Sequence, residues 1–176
     1  MTTDDNRTVD SWRFAGSFLK RVLGGGLPAE DAPTHEPIPW ADVRKPLAES
    51  RVALLTTAGL SMKGDPPFDM DYERAHPTCG DSSWRKLTSS ATASDIDANH
   101  LHIDTSFVLN DINVALPLDR LREAAADGRI GSVAPSHYSI MGYQGNSSAD
   151  LVAKSAPEIV ASLRSEAVDL VLLAPV

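Results

Sequence analysis

The chain carries a single cysteine, Cys79, among 176 residues. One thiol cannot close an intramolecular disulfide, and without a pair or cluster of cysteines there is neither a thiolate zinc site nor an iron–sulfur centre. Basic charge is also scarce: 16 Lys and Arg against 24 Asp and Glu give a formal net charge of −8 and a pI near 5.0. Phosphate binding needs clustered cations, so neither nucleic acid nor an anionic membrane is expected as a partner. No apolar run approaches the roughly 20 residues that span a bilayer, and the amino terminus lacks the basic-then-apolar order of a secretory signal. A cytoplasmic location is the expectation. Gly24-Gly25-Gly26 has neither the spacing nor the following Lys-Ser or Lys-Thr of a phosphate loop, and no Gly-x-Ser-x-Gly elbow supports a serine hydrolase.

The remaining composition, 42% hydrophobic and 23% charged, is that of one globular domain with a sizeable core. Trp12, Phe14, Phe18, Leu19, Val22 and Leu23 recur at helical spacing, and Gly24 to Gly26 end that helix. Pro28, Pro33, Pro37 and Pro39 then make Leu27 to Pro39 an exposed linker. Residues 1–36 thus read as a helix and linker, and 37–176 as the folded domain. The helix fits packing on its own domain or docking to a partner subunit.

Within the domain, Val52 to Ala58 is continuous and apolar, as expected of a parallel strand buried on both faces. Gly59 permits a tight turn after it. Gly64 to Ala98 reads as irregular but packed, because Phe68, Tyr72 and Trp84 give it something to bury. Ile112 to Leu116 is a candidate strand, and Leu118, Leu121 and Ala125 mark a helix ended by Asp127-Gly128. Asp150 to Glu166 carries a second helical stripe, and Val168 to Ala174 a second strand of buried type. Strands separated by helices predict an α/β fold: three layers, a mostly parallel sheet and flanking helices, like half of a flavodoxin or Rossmann fold. Ligand sites in such folds lie beyond the carboxyl ends of the strands, where Thr56-Thr57-Ala58-Gly59 falls.

Three groups of residues could carry chemistry. His100-Leu101-His102-Ile103-Asp104 would place His100, His102 and Asp104 on one face if extended, able to hold a ligand or a proton. A half-buried edge strand with a solvated polar face fits equally, and no metal site is expected. Arg120, close by in sequence, could clamp a substrate carboxylate or pair on the surface. Ser136, His137, Tyr138 and Tyr143, in the segment Ser136 to Tyr143, suit the wall of a substrate pocket. Cys79 has no adjacent lysine to lower its pKa and reads as an unreactive thiol.

The blocks RVALLTTAGL, PPFDM, GDSSWR, HLHID, DINVALPLDRL, GRIGSVAPSHYSIMGY, APEIV and VDLVLLAPV occur in order from about residue 37 to 176. Together they resemble the selenoprotein B subunits of the glycine, sarcosine, betaine and D-proline reductases, with DINVALPLDRL followed by SHYSIMGY the most specific combination. The resemblance implies a subunit, or its amino-terminal fragment, of a reductase that cleaves a carbon–nitrogen bond of a small molecule. Such an enzyme uses a selenolate or thiolate and a pyruvoyl group on a partner subunit. It also implies that the redox selenocysteine or cysteine follows the strand VDLVLLAPV, so no cofactor and no identified catalytic residue is expected up to Val176. A frame ended at a UGA codon for selenocysteine is the matching expectation, with a sheet incomplete at the carboxyl terminus and association with other reductase subunits or with itself. The rival expectation is a non-catalytic binding or assembly domain of the same fold.

Overall fold

A computed structural model of the protein describes residues 41–76, 80–144 and 148–176. The helix from Val9 to Leu23, the linker and Cys79 lie outside the described residues. The first strand, β1 (Arg51–Thr56), is buried over Val52, Ala53 and Leu54. After Gly59 the chain forms β2 (Leu60–Met62), then α1 (Met70–Ala75), whose start is capped by the Asp69 carboxylate accepting from the Tyr72 amide. β3 (Trp84–Thr88) and β4 (Ile96–Ala98) follow, then α2 (Thr105–Asn110), a 3₁₀ turn over Ile112–Val114 and α3 (Leu118–Ala126). Gly128, at φ 69°, provides the left-handed residue after α3. The chain continues through β5 (Ser132–Val133), β6 (Ser136–Ile140), α4 (Ala156–Ser165) and β7 (Leu170–Ala174).

β1 is central. β7 runs parallel along one of its edges from Val52↔Leu170 to Thr56↔Ala174, and β5 and β6 share the other, also parallel. β3 closes the β6 side antiparallel. β2 and β4 form a separate antiparallel pair. One face of the sheet, with Val52, Leu54 and Leu87, packs on Val108 of α2, Ile112 and Leu116 of the turn and Leu118 and Leu121 of α3. The other face receives α4, where the Tyr138 hydroxyl donates to Ser162 Oγ at 2.9 Å and Trp84 Nε1 donates to Glu158 at 2.8 Å. Helix, mixed but mostly parallel sheet, helices: the α/β expectation holds. No helix of the described residues is long and apolar enough to cross a membrane.

Four local readings change. Ile112 to Leu116 is a 3₁₀ turn rather than a strand: Ile112, Ala115 and Leu116 are buried with helical spacing, and the Asp111 carboxylate holds the Asn113 amide at 2.9 Å. The described residues between Gly64 and Ala98 form α1, β3 and β4. β3 escapes notice because Arg85 and Lys86 give it the charged sequence of a strand protected against further pairing. The helix predicted from Asp150 passes through a π turn over Leu151–Ser155, because Pro157 has no amide to donate to the preceding turn. β7 is not buried: Leu172 is 51% and Leu173 65% exposed, on opposite faces of the strand.

Candidate functional site

The carboxyl ends of β1, β6 and β7 are tied together at one edge of the sheet. Thr57 Oγ1 accepts from the Val176 amide at 2.9 Å and donates to the Val176 carbonyl at 3.3 Å, while the Thr57 amide reaches the Ala174 carbonyl. Gly142, just past β6, lies against Thr57, and a Cβ there would come within 3.1 Å of its side chain. Gly59 turns the chain with φ 63°, and a Cβ at that position would sit 2.3 Å from the Asn99 carbonyl oxygen. Only glycine satisfies both the dihedral and the space.

Asn99 carries the edge onward. Its amide donates to the Gly59 carbonyl at 2.9 Å and its side chain to Ser61 Oγ at 2.9 Å. His100 and His102 follow directly, and the structure brings them together: the rings meet edge-on with centroids 5.7 Å apart, and the His102 amide donates to His100 Nδ1 at 3.0 Å. They do so in a bend, not in the extended segment expected. Asp104 caps α2, accepting from the Ser106 amide at 3.0 Å. Burial, aided by the neighbouring His102, pushes the His100 pKa down to about 4, so its imidazole is neutral at pH 7.

A carboxyl group that the sequence did not single out completes this cluster. Glu73, on the inner side of α1, is 3% exposed, and its Oε1 lies 3.5 Å from His102 Nε2. Its Oε2 is buried with no hydrogen-bond partner among the described residues. Desolvation raises the Glu73 pKa to about 7 against the opposing pull of Arg74, with the Asp81 charge adding to the rise. The surrounding sequence, Met70-Asp71-Tyr72-Glu73-Arg74, reads as solvated helix, and only the cap at Asp69 could have fixed which face Glu73 takes.

Beside α1 an open cleft of about 540 Å³ is lined by Asp69, Tyr72, Asp81, Gln144 and Asp150. Burial favours the protonated form of Asp81, but hydrogen bonds from Ser83 and the Asp69 amide, with the Arg85 charge, outweigh it and hold its pKa below the usual range. The cleft is therefore anionic. Among the described residues no group of three or more His, Cys, Asp or Glu side chains is placed to hold a metal ion.

The other candidate residues lie elsewhere. Arg120 points outward from α3 and pairs with Glu123 at 2.8 Å. Ser136, His137 and Tyr138 belong to the interior strand β6: Ser136 donates to Glu166, Tyr138 to Ser162, and His137 is fully buried on the opposite face. Tyr143 is half exposed beyond β6, where its carbonyl accepts from the Gly80 amide at 2.8 Å.

A family model described as glycine/sarcosine/betaine reductase selenoprotein B matches residues 13–176. Over 141 residues the chain is 35% identical to D-proline reductase subunit gamma of Acetoanaerobium sticklandii, covering 80% of this chain and 54% of that protein. It is 30% identical over 162 residues to glycine reductase complex component B subunit gamma of Carboxydothermus hydrogenoformans, covering 92% of this chain and 36% of the relative. It is 28% identical over 169 residues to betaine reductase complex component B subunit beta of Peptoclostridium acidaminophilum, with 93% and 36% covered. The chain thus spans about half the length of the first relative and about a third of the other two. No solved structure matches the chain.

Proposed function

Because the chain belongs to the glycine/sarcosine/betaine reductase selenoprotein B family, we propose that it is a subunit, or the amino-terminal part of one, of a selenol- or thiol-dependent reductase. The substrates are small ammonium or amine compounds of the glycine, sarcosine, betaine or D-proline type, cleaved at a carbon–nitrogen bond. The observation that carries this reading is the double hydrogen bond between Thr57 and Val176, which fixes the chain after β7 beside Thr57, two residues before the Gly59 turn on which Asn99 docks. A selenocysteine or cysteine following Val176 in a longer chain would begin at that point, where a rigid sheet holds a nucleophile in place. There the selenolate or thiolate would supply the nucleophile, with a pyruvoyl group on a partner subunit. His100 and His102 line the substrate side, and the acidic cleft favours cationic molecules over anionic ones.

The test is to isolate the native protein with its partner subunits from cells labelled with radioactive selenium. Amine or ammonia release from glycine, sarcosine and betaine, and ring opening of D-proline to a linear primary amine, are then assayed with a thiol reductant. Reductive cleavage of one of the four, lost on His102→Gln, is the expected result. A protein that purifies with the other subunits yet leaves all four substrates intact would overturn the reading in favour of a non-catalytic assembly domain, a role that the exposed apolar surface of β7 also suits.

A further inference from the structure

We propose that Glu73 and His102 are an acid–base pair that shares one proton and exchanges it with a small molecule bound at the carboxyl edge of the sheet. The inference rests on the site reading above for its use and on geometry for the pair itself. A carboxyl group 3% exposed, with one oxygen facing an imidazole at 3.5 Å and the other lacking a partner among the described residues, is costly to bury in ionised form. It is retained most cheaply as a neutral acid, or as an anion beside an imidazolium. These two states differ only by movement of one proton between Oε1 and Nε2, so the pair can hold a proton without a net charge change.

The groups facing the pair agree with this. Arg74, on the same helix, and Asp81, from the segment before β3, act on Glu73 in opposite directions. His100, on the same loop as His102, is neutral at pH 7 and accepts the His102 amide, so it adds no competing cation. With burial included, Glu73 titrates at about 7, the range in which a group both gives and takes protons efficiently. His102 is the accessible member, its side chain 28% exposed against 4% for Glu73. In the proposed use, a departing amine takes its proton from the imidazolium and Glu73 keeps that proton available. Glu73 is a positioning and proton-holding residue acting through His102.

The experiment pairs nuclear magnetic resonance with kinetics. Between pH 5 and 9, the Glu73 side-chain carbonyl carbon and the His102 ring nitrogens of the folded protein should move with a shared midpoint. Glu73→Gln should remove that shared step from the His102 signals, and His102→Gln should remove it from the Glu73 signal. In the complete reductase, Glu73→Gln should cut kcat by about 100-fold with KM little changed and flatten the pH profile near neutrality. Independent titration of the two residues in the wild-type protein overturns the pair while leaving the site reading intact. A coupled pair whose Glu73→Gln substitution leaves kcat and the pH profile of an active complex unchanged overturns the catalytic use. An inactive wild-type complex with coupled signals would instead refute the reductase reading alone.

Discussion

The Leu54 amide donates to His137 Nδ1 at 2.9 Å, and this bond stands where the ladder between β1 and its neighbour is interrupted. Val52 pairs with Val133, yet Leu55 pairs with Tyr138, so the β5–β6 side carries two more residues than β1 across the gap. Pro135 lies in that bulge, and its carbonyl is taken by the Ser89 amide at 2.9 Å. The His137 ring supplies the acceptor that the strand cannot, and with Nδ1 accepting, the neutral ring keeps its proton on Nε2. Ser136 to Ile140 are thereby placed as interior strand and bulge, while Tyr143 lies half exposed beyond β6.

His137→Leu should destabilise the fold by about 2–3 kcal/mol, because the buried Leu54 amide loses its acceptor. Equilibrium urea unfolding measures this, and a loss under 0.5 kcal/mol would contradict the assigned role.

His100 and His137 both have folded pKa values near 4, well below the ordinary histidine value of 6.5, chiefly through burial. The unfolded chain therefore binds more protons than the folded one between those values. Stability should be fully present above pH 6.5 and fall as pH drops toward 4. His100→Asn should flatten that dependence, as read from melting temperatures across the range.

Glu73 runs the other way. Its folded pKa of about 7 exceeds the ordinary glutamate value of 4.5, so its contribution is most favourable below 4.5 and is lost as pH rises through 7. Glu73→Gln should match the wild type in stability near pH 4 and exceed it at pH 8, by roughly 1–3 kcal/mol. Paired urea titrations at the two values check the sign.

Gly59→Ala should be severely destabilising, by at least about 2 kcal/mol, since the new methyl group meets the Asn99 carbonyl and the residue must hold φ 63°. Thr57→Val should cost less, about 1 kcal/mol, and act locally by releasing both hydrogen bonds to Val176. Hydrogen exchange should show faster amide exchange at the end of β7 while β1 remains protected.

β1, α3 and α4 were legible because each carries a continuous or periodic apolar pattern that packing then rewards. Ile112 to Leu116 was misread because five residues, four of them apolar, fit strand and turn alike, and a single capping carboxylate at Asp111 decides between them. The histidine pair was visible as two imidazoles one residue apart, although the bend that joins them depends on Asn99 docking on Gly59, a contact across 40 positions. Glu73 gave no sign, since a glutamate in a polar six-residue helix becomes buried only through tertiary packing. Burial of β7 could not be judged from its own residues either: an apolar strand has the same sequence in the middle of a sheet as at its edge.

The central placement of β1 also sets the order in which the protein can be made. β1 leads the sheet in sequence, yet Arg51 meets Ser132 across 81 positions and Thr57 meets Val176 across 119. On the ribosome this apolar strand emerges before any strand that flanks it in the sheet. It stays unpaired in the main sheet until β5 and β6 have been translated, and its second edge waits for β7. At about 5–20 residues per second the delay lasts several seconds, long enough for chaperone engagement or misassociation to compete with folding.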